Sequence, residues 1–498
     1  MGSYYSDTGY KQIRKPIILV ILFYFIYVAA NIIANKGIMM AGVFIALPFI
    51  IAAVYILFSN PRLTLFLVLI FAFTINGIIR YIPAPLGLST DGLLFLVMMS
   101  LFFKGWVQQD WSPAKNYLTW LSLIWMGYCV LEVVNPEMVS FAAWFYAMRG
   151  VGFYQLLFIP AALVLLSRLK DLDTFLKIWM MLSIIAVLKG FQQLILGPDP
   201  WEQAWLDAGA EETHILFGRL RVFSFYSDAG QFGAAMAHAT LSSGIIALGP
   251  GTRKKKIFFG IASILTLLGM FISGTRGAMA VPAMGALLFL LLSKNFKLLM
   301  VGIAFGAVVF FFLKFTTIGQ GNYQIARMRT ALDPQDASLQ VRLENQRKLK
   351  SYLATRPLGG GIGSAGNWGL RFSPNTFLAQ TPTDSWFVKI WAEMGVVGLS
   401  LHLFILFYIL IQSSIVIWTK ISDPELTFIL LALISGFWGI MVASYGNGIL
   451  GQMPTLMVLL FSWVFLSRGV KLQEEKQKQL PENDNLLCIS NGVRDMSS

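Results

Sequence analysis

Arginine is the residue type whose placement in this chain could do chemistry. Three stretches carry it. The first is Arg219-Leu-Arg221, followed by Val-Phe-Ser-Phe-Tyr226-Ser-Asp228-Ala-Gly-Gln-Phe. The second is Ser273-Gly274-Thr275-Arg276-Gly277, whose small residues would let backbone N–H groups approach an anion beside the arginine. It reads equally as a tight turn with an interfacial arginine. The third is the polar stretch from Phe315 to Asp384, which contains Arg327, Arg329, Arg342, Arg347, Arg356 and Arg371. A guanidinium is a planar fork that grips phosphate oxygens in pairs, where an ammonium offers a point charge. For Arg221 the anion-binding reading is preferred. Arg80 and Arg149, at helix ends, read as snorkelling or carboxylate-paired side chains.

A proton acceptor is the other requirement of group transfer. Asp384, in Pro382-Thr383-Asp384-Ser385-Trp386, sits where the polar stretch re-enters an apolar run and could take a proton from an acceptor hydroxyl. Thr-Asp-Ser before an apolar run is also a helix N-cap pattern, and a capping carboxylate is held in its charged form, which makes it a poorer base. Spacing alone favours the cap.

Other candidates are weaker. Ser338–Ala354 has apolar Leu339, Leu343, Tyr352 and Leu353 among basic Arg342, Arg347, Lys348 and Lys350, the pattern of an amphipathic helix suited to a membrane surface. Arg356-Pro-Leu-Gly-Gly-Gly-Ile-Gly-Ser364 lacks the lysine-serine ending and preceding strand of a P-loop, and reads either as a backbone nest for an oxyanion or as a hinge. His238 and His402 lie in apolar runs as packing residues, and His214 stands beside Glu211 and Glu212 without metal-ligand spacing, so no metal or cofactor is expected. Cys129 and Cys488 provide no disulfide framework.

These residues must be positioned by membrane helices. The 498 residues are 56% hydrophobic and only 13% charged, too little polar surface for a soluble chain. Apolar runs of bilayer-spanning length begin near residues 16, 38, 63, 87, 116, 150, 174, 229, 256, 278, 297, 396, 426 and 450. The expected fold is therefore an all-α polytopic membrane protein of about 14 transmembrane helices, range 12–14, with one large extracytoplasmic loop containing the amphipathic helix. Its expected parts are a cytoplasmic N-terminus (1–15), helices over 16–315, the loop at 316–384, C-terminal helices over 385–467 and a cytoplasmic, disordered tail at 468–498. The run after Lys11, Arg14 and Lys15 is too long for a signal peptide and reads as an uncleaved first helix. Turn formers separate the runs, among them Asn60-Pro61, the Pro83–Pro85 segment, Gly197–Pro200 and Gly249–Gly251.

The net charge of +13 is assigned to orientation and anionic lipid rather than to nucleic acid. With alternating helices, one side holds about 15 lysines and 6 arginines, the cytoplasmic mixture; the other holds about 11 arginines and 6 lysines. The arginine-rich face is the one expected to meet phosphate.

The stretch Arg221 to Gly233, the Ser-Gly-Thr-Arg276-Gly turn, the Arg356–Ser364 segment and Asp384-Ser385 through Ala392-Glu393-Met-Gly-Val-Val-Gly-Leu399, in that order around one long loop, resemble the O-antigen ligase and polymerase superfamily of bacterial envelope glycosyltransferases. The resemblance covers residues 215–400 and is topological elsewhere. It implies a glycan donor carried on a polyprenyl pyrophosphate, a glycan acceptor, a site on the periplasmic side of the inner membrane, and envelope polysaccharide assembly proteins as partners. It also implies that Arg221 and Arg276 hold the pyrophosphate, with Arg219, Arg342, Arg356, Tyr226, Asp228 and Ser385 around the substrate. Where the ligases carry a histidine-asparagine pair, this chain has Asp384-Ser385, which favours a polymerase-like member with Asp384 as the base. The rival class is a lipid-linked oligosaccharide flippase or other polytopic transporter, against which stands the lack of a repeat between the two halves.

Overall fold

The computed structural model describes residues 8–82, 86–105, 110–216, 218–321, 323–329 and 335–479. The Pro83–Pro85 turn and Cys488 lie outside these residues. The chain divides into two units, Met1–Pro61 and Arg62–Ser498. In the first, helices Thr8–Lys36 and Ile38–Ser59 are separated by Gly37, whose φ of 79° breaks the helical path.

The second unit is a helical bundle. Each expected apolar run falls on a helix, but among the described residues only eight helices are long and apolar enough to cross a membrane, or nine if the bent pair Thr455–Ser467 and Gly469–Gln479 counts as one span. Three shorter apolar helices, Leu88–Phe103, Arg276–Leu292 and Leu299–Phe315, account for part of the difference from 14. The Ala229–Leu248 helix accounts for another part. Its run of Ala, Gly, Ser and His makes it less greasy, yet it is buried along most of its length. Small side chains let it approach Arg253–Ile272, Pro424–Ala443, Ala280–Leu292 and Leu169–Ile195 closely, as expected where lipid offers no hydrophobic drive for helices to associate. Gly269 shows the fit, since a Cβ there would press into Val187 and Met236.

The two ends of the bundle differ in kind. At one end Arg62 faces Asp171, Glu475 accepts from the Leu169 amide, and Lys255 and Lys476 both reach Glu425, Lys476 also binding Asp423. Residues Gly469–Gln479, expected to begin a disordered tail, are a helix here, because Leu472 is buried and Lys476 is doubly paired. The opposite end, roughly 30 Å away along helices of about 20 residues, carries the arginine loops. The described residues are all-α apart from a short ribbon pairing Ile215–Leu216 with Arg219–Leu220.

Between residues 316 and 384 lie helices Tyr323–Arg329, Ala337–Leu353, Gly366–Phe372 and Phe377–Gln380. The amphipathic helix is present within one residue of its expected bounds. Its apolar side does not serve a membrane surface alone: Leu349 and Leu353 are buried against Ala365, Leu378, Val388 and Ala392, while Val341 stays exposed.

Candidate functional site

The first arginine stretch is held by a framework of buried bonds. Arg80, at the end of helix Pro61–Tyr81, donates to the carbonyls of Ser224 and Tyr226, and its guanidinium lies over the rings of Trp205 and Phe223 at 4.5 and 4.4 Å. Gln193 accepts from the amides of Phe223 and Ser224 and donates to Glu202, which Lys189 also reaches. Burial works against the charge of Asp199, but hydrogen bonds from Tyr81, the Glu202 amide and Lys189 outweigh it and hold that carboxyl down at about 2. His214 packs between Trp205 and Phe223, and burial pushes its imidazole below the ordinary value. Arg80 and Arg149 are thus structural, Arg149 closing on Asp91 at 2.7 Å.

On this frame Arg221 leaves the ribbon with its amide bonded to His214 O, and its guanidinium reaches Thr213 O at 3.3 Å and the Thr275 hydroxyl at 3.5 Å. Thr275 in turn donates to Ala229 O at 2.8 Å. The neighbour of Thr275 is Arg276. Arg221 thus touches the side chain of the residue that precedes Arg276, 55 positions further along the chain, at the start of the Ala229–Leu248 helix.

The Ser273–Gly277 turn does not supply the anion nest that its small residues suggested at Gly274 and Thr275. Those two amides are used internally, Gly274 N–H by Phe271 O and Thr275 N–H by the Ser273 hydroxyl. What the turn projects is the Arg276 side chain. It forms a two-pronged ion pair with Asp336, with bonds of 2.5 and 3.1 Å. Asp336 is the N-cap of Ala337–Leu353 and accepts from the Leu339 amide at 3.1 Å.

On that helix, Arg342 faces Asp384 at 3.9 Å. Asp384 is not the cap that its spacing suggested. Ser385 caps Trp386–Lys420 through the Val388 amide, and Asp384 stands just before that cap with φ of 46° and a side chain 44% exposed. The carboxylate is thereby turned away from the helix amides that would have claimed it. The end of the loop is pinned by Trp386 N–H to Ser444 O at 3.0 Å and by the Ser385 hydroxyl to the same oxygen at 3.2 Å.

Other expected substrate contacts have different places. Tyr226 is fully buried between Phe73 and Phe232 and acts as packing. Asp228 caps Ala229–Leu248 through the Gln231 amide, and Ser385 is buried as a cap. Arg219 is exposed on the ribbon. Arg356 is turned to Glu137 at 3.1 Å and over the Tyr352 ring, and the Glu137 hydrogen bond holds its guanidinium above the ordinary value. Arg356 is a clip between loops.

The glycine-rich segment packs on an internal carboxyl group. Residues 359–365 are buried, and the Ala365 amide donates to a carboxyl oxygen of the buried Glu393 at 3.3 Å. Gly359 (φ 74°) and Gly395 (φ 65°) interlock. A Cβ on either would strike the other's backbone, and one on Gly395 would also strike Pro357 O.

Asn447 was missed by sequence reasoning. Its side-chain nitrogen lies 3.3 and 3.5 Å from where Cβ atoms on Gly277 and Gly230 would sit, and its backbone carbonyl accepts from Trp386 N–H. An asparagine in a Ser-Tyr-Gly-Asn-Gly turn reads as turn chemistry, so nothing local marks it. No group of three or more His, Cys, Asp or Glu able to hold a metal ion occurs among the described residues.

The fold defines a multi-pass membrane protein with Arg221, Arg276 and Arg342 in the loops at one end of its bundle. Residues 261–403 match the model of a family described as O-antigen ligase, which supports the O-antigen ligase/polymerase superfamily and, with it, a glycosyltransferase-like ligase or polymerase activity. No curated protein matches the chain. The matched stretch includes Arg276, Asp336, Arg342, Asp384, Glu393 and Gly395; Arg221 lies outside it and reaches it at Thr275.

Proposed function

We propose that this protein is a membrane glycosyltransferase of polymerase-like type, passing a glycan from a polyprenyl-pyrophosphate donor to an acceptor sugar at the outer face of the inner membrane. The observation that carries the reading is the contact of Arg221 with Thr275, the residue before Arg276, with Arg276 joined through Asp336 to the helix whose Arg342 faces Asp384. Asp336 and Arg342 are six positions apart, roughly 9 Å along a helix axis, a span that a pyrophosphate and one sugar ring would bridge.

In the transfer, the acceptor hydroxyl oxygen attacks the anomeric carbon and its proton passes to Asp384. The bond from that carbon to the phosphate oxygen breaks, and its electron pair leaves with the lipid pyrophosphate. Arg221 and Arg276 stabilise the charge on the leaving group, a contact of the kind worth about 3 kcal/mol of barrier. A donor already activated as a phosphate ester suits a compartment without nucleotide sugars. Arg276→Ala should abolish glycan polymer while the protein stays at its normal level in the membrane. Wild-type polymer in that strain would overturn the proposal.

A further inference from the structure

We propose that the Ala337–Leu353 helix is a catch on this site. Asp336 occupies the fork of Arg276 in place of a donor phosphate, and an arriving pyrophosphate displaces it. The inference rests on the function proposed above and concerns how that same site is regulated.

Both prongs of Arg276 that would receive phosphate oxygens are engaged by the two carboxylate oxygens of Asp336, at 2.5 and 3.1 Å. A carboxylate presents the same paired-oxygen geometry as a phosphate but less charge and fewer oxygens, so it holds the fork and yields to a pyrophosphate. The pair is partly open to solvent, at 22% and 19% exposure, so an incoming ligand can reach it. Asp336 also holds the first helical turn: its side chain accepts from Leu339 N–H and its carbonyl accepts from Gln340 N–H at 3.0 Å.

The same helix carries Arg342, which sits on Asp384 at 3.9 Å. One rigid element thus covers the anion-binding arginine with its cap and the proton acceptor with a guanidinium. A bound pyrophosphate takes Arg276 and leaves Asp336 facing like charge, which repels it. The start of the helix is pushed off and Arg342 is drawn from Asp384. The carboxylate is then released for the acceptor hydroxyl only once a donor is in place, which guards the activated donor against premature attack.

The test uses the full chain in lipid nanodiscs with a polyprenyl pyrophosphate as probe, measuring its Kd and hydrogen exchange at the Leu339 and Gln340 amides. Asp336→Asn keeps a capping side chain while removing the competing charge, and should bind the probe tighter by about tenfold, within the usual range of coupling between two binding events. In the wild type, saturating probe should speed exchange at those two amides. Unchanged or weaker binding by Asp336→Asn, with binding lost in Arg276→Ala, would discard the catch and leave the arginine site standing. Wild-type affinity in Arg276→Ala would discard both. Should Asp336→Asn fail to fold, unaltered wild-type exchange under saturating probe is sufficient to discard the catch.

Discussion

At the scale of single residues, the division of labour between Asp384 and Ser385 matters most. A serine that caps and an aspartate that stands outside the helix make the two roles separable by mutation. Asp384→Asn should lower glycosyl transfer by about 10²- to 10⁴-fold, the usual contribution of a general base, with its unfolding midpoint in detergent unchanged. Asp384→Gly would even relieve the left-handed backbone at φ of 46° while removing the carboxylate. Ser385→Ala should do the reverse, costing about 1 kcal/mol of stability while retaining a measurable rate. If thermal unfolding shows Asp384→Asn to be the destabilised variant, the assignment of roles fails. The sequence pattern Thr-Asp-Ser could not distinguish the two, because both residue types cap equally well and the choice depends on which one the Ser444 carbonyl anchors.

At the scale of elements, periodicity and polarity were sufficient to locate the amphipathic helix, since both local signals point the same way there. They were insufficient for the glycine-rich segment. Its composition is equally that of a hinge, a phosphate nest and a packing joint, and only the nearness of Glu393 and Gly395, some thirty residues on, decides among them. Arg356 was likewise ambiguous, because its partner Glu137 is more than two hundred positions away. The joint gives a prediction of its own. Gly395→Ala puts a methyl group into Pro357 O and the Gly359 amide at a backbone angle that alanine avoids, which should cost several kcal/mol. Thermal unfolding in detergent would show it, and a midpoint within a degree of wild type would contradict the interlock.

At the scale of the whole molecule, composition and loop charge were enough to read an all-helical, multi-pass chain with unlike ends. The number of spans was less legible. Apolar run length counts Ala229–Leu248 as readily as Pro424–Ala443, although the first owes its place to small side chains and burial and the second to aliphatic bulk. The contact of Arg221 with Thr275 could not be read from spacing, because it depends on Arg80, Gln193 and Lys189 fixing one loop beside another. Because the two ends are separate, they should respond separately. Lys476→Ala removes pairs to Asp423 and Glu425 that are about one-quarter exposed, so it should cost at most about 1 kcal/mol. Transfer assayed in membranes should be unaffected, and a loss comparable with that of Arg276→Ala would mean that the two ends are coupled.

The meshing of Gly359 with Gly395 also limits how this chain can exchange parts with other proteins. A chimera that took residues 316–384 from another protein matching the same family model would set a foreign backbone against a resident turn cut to a different fit. Recombination between such proteins should therefore succeed when the crossover falls after Gly395 and fail when it falls at the apparent end of the loop.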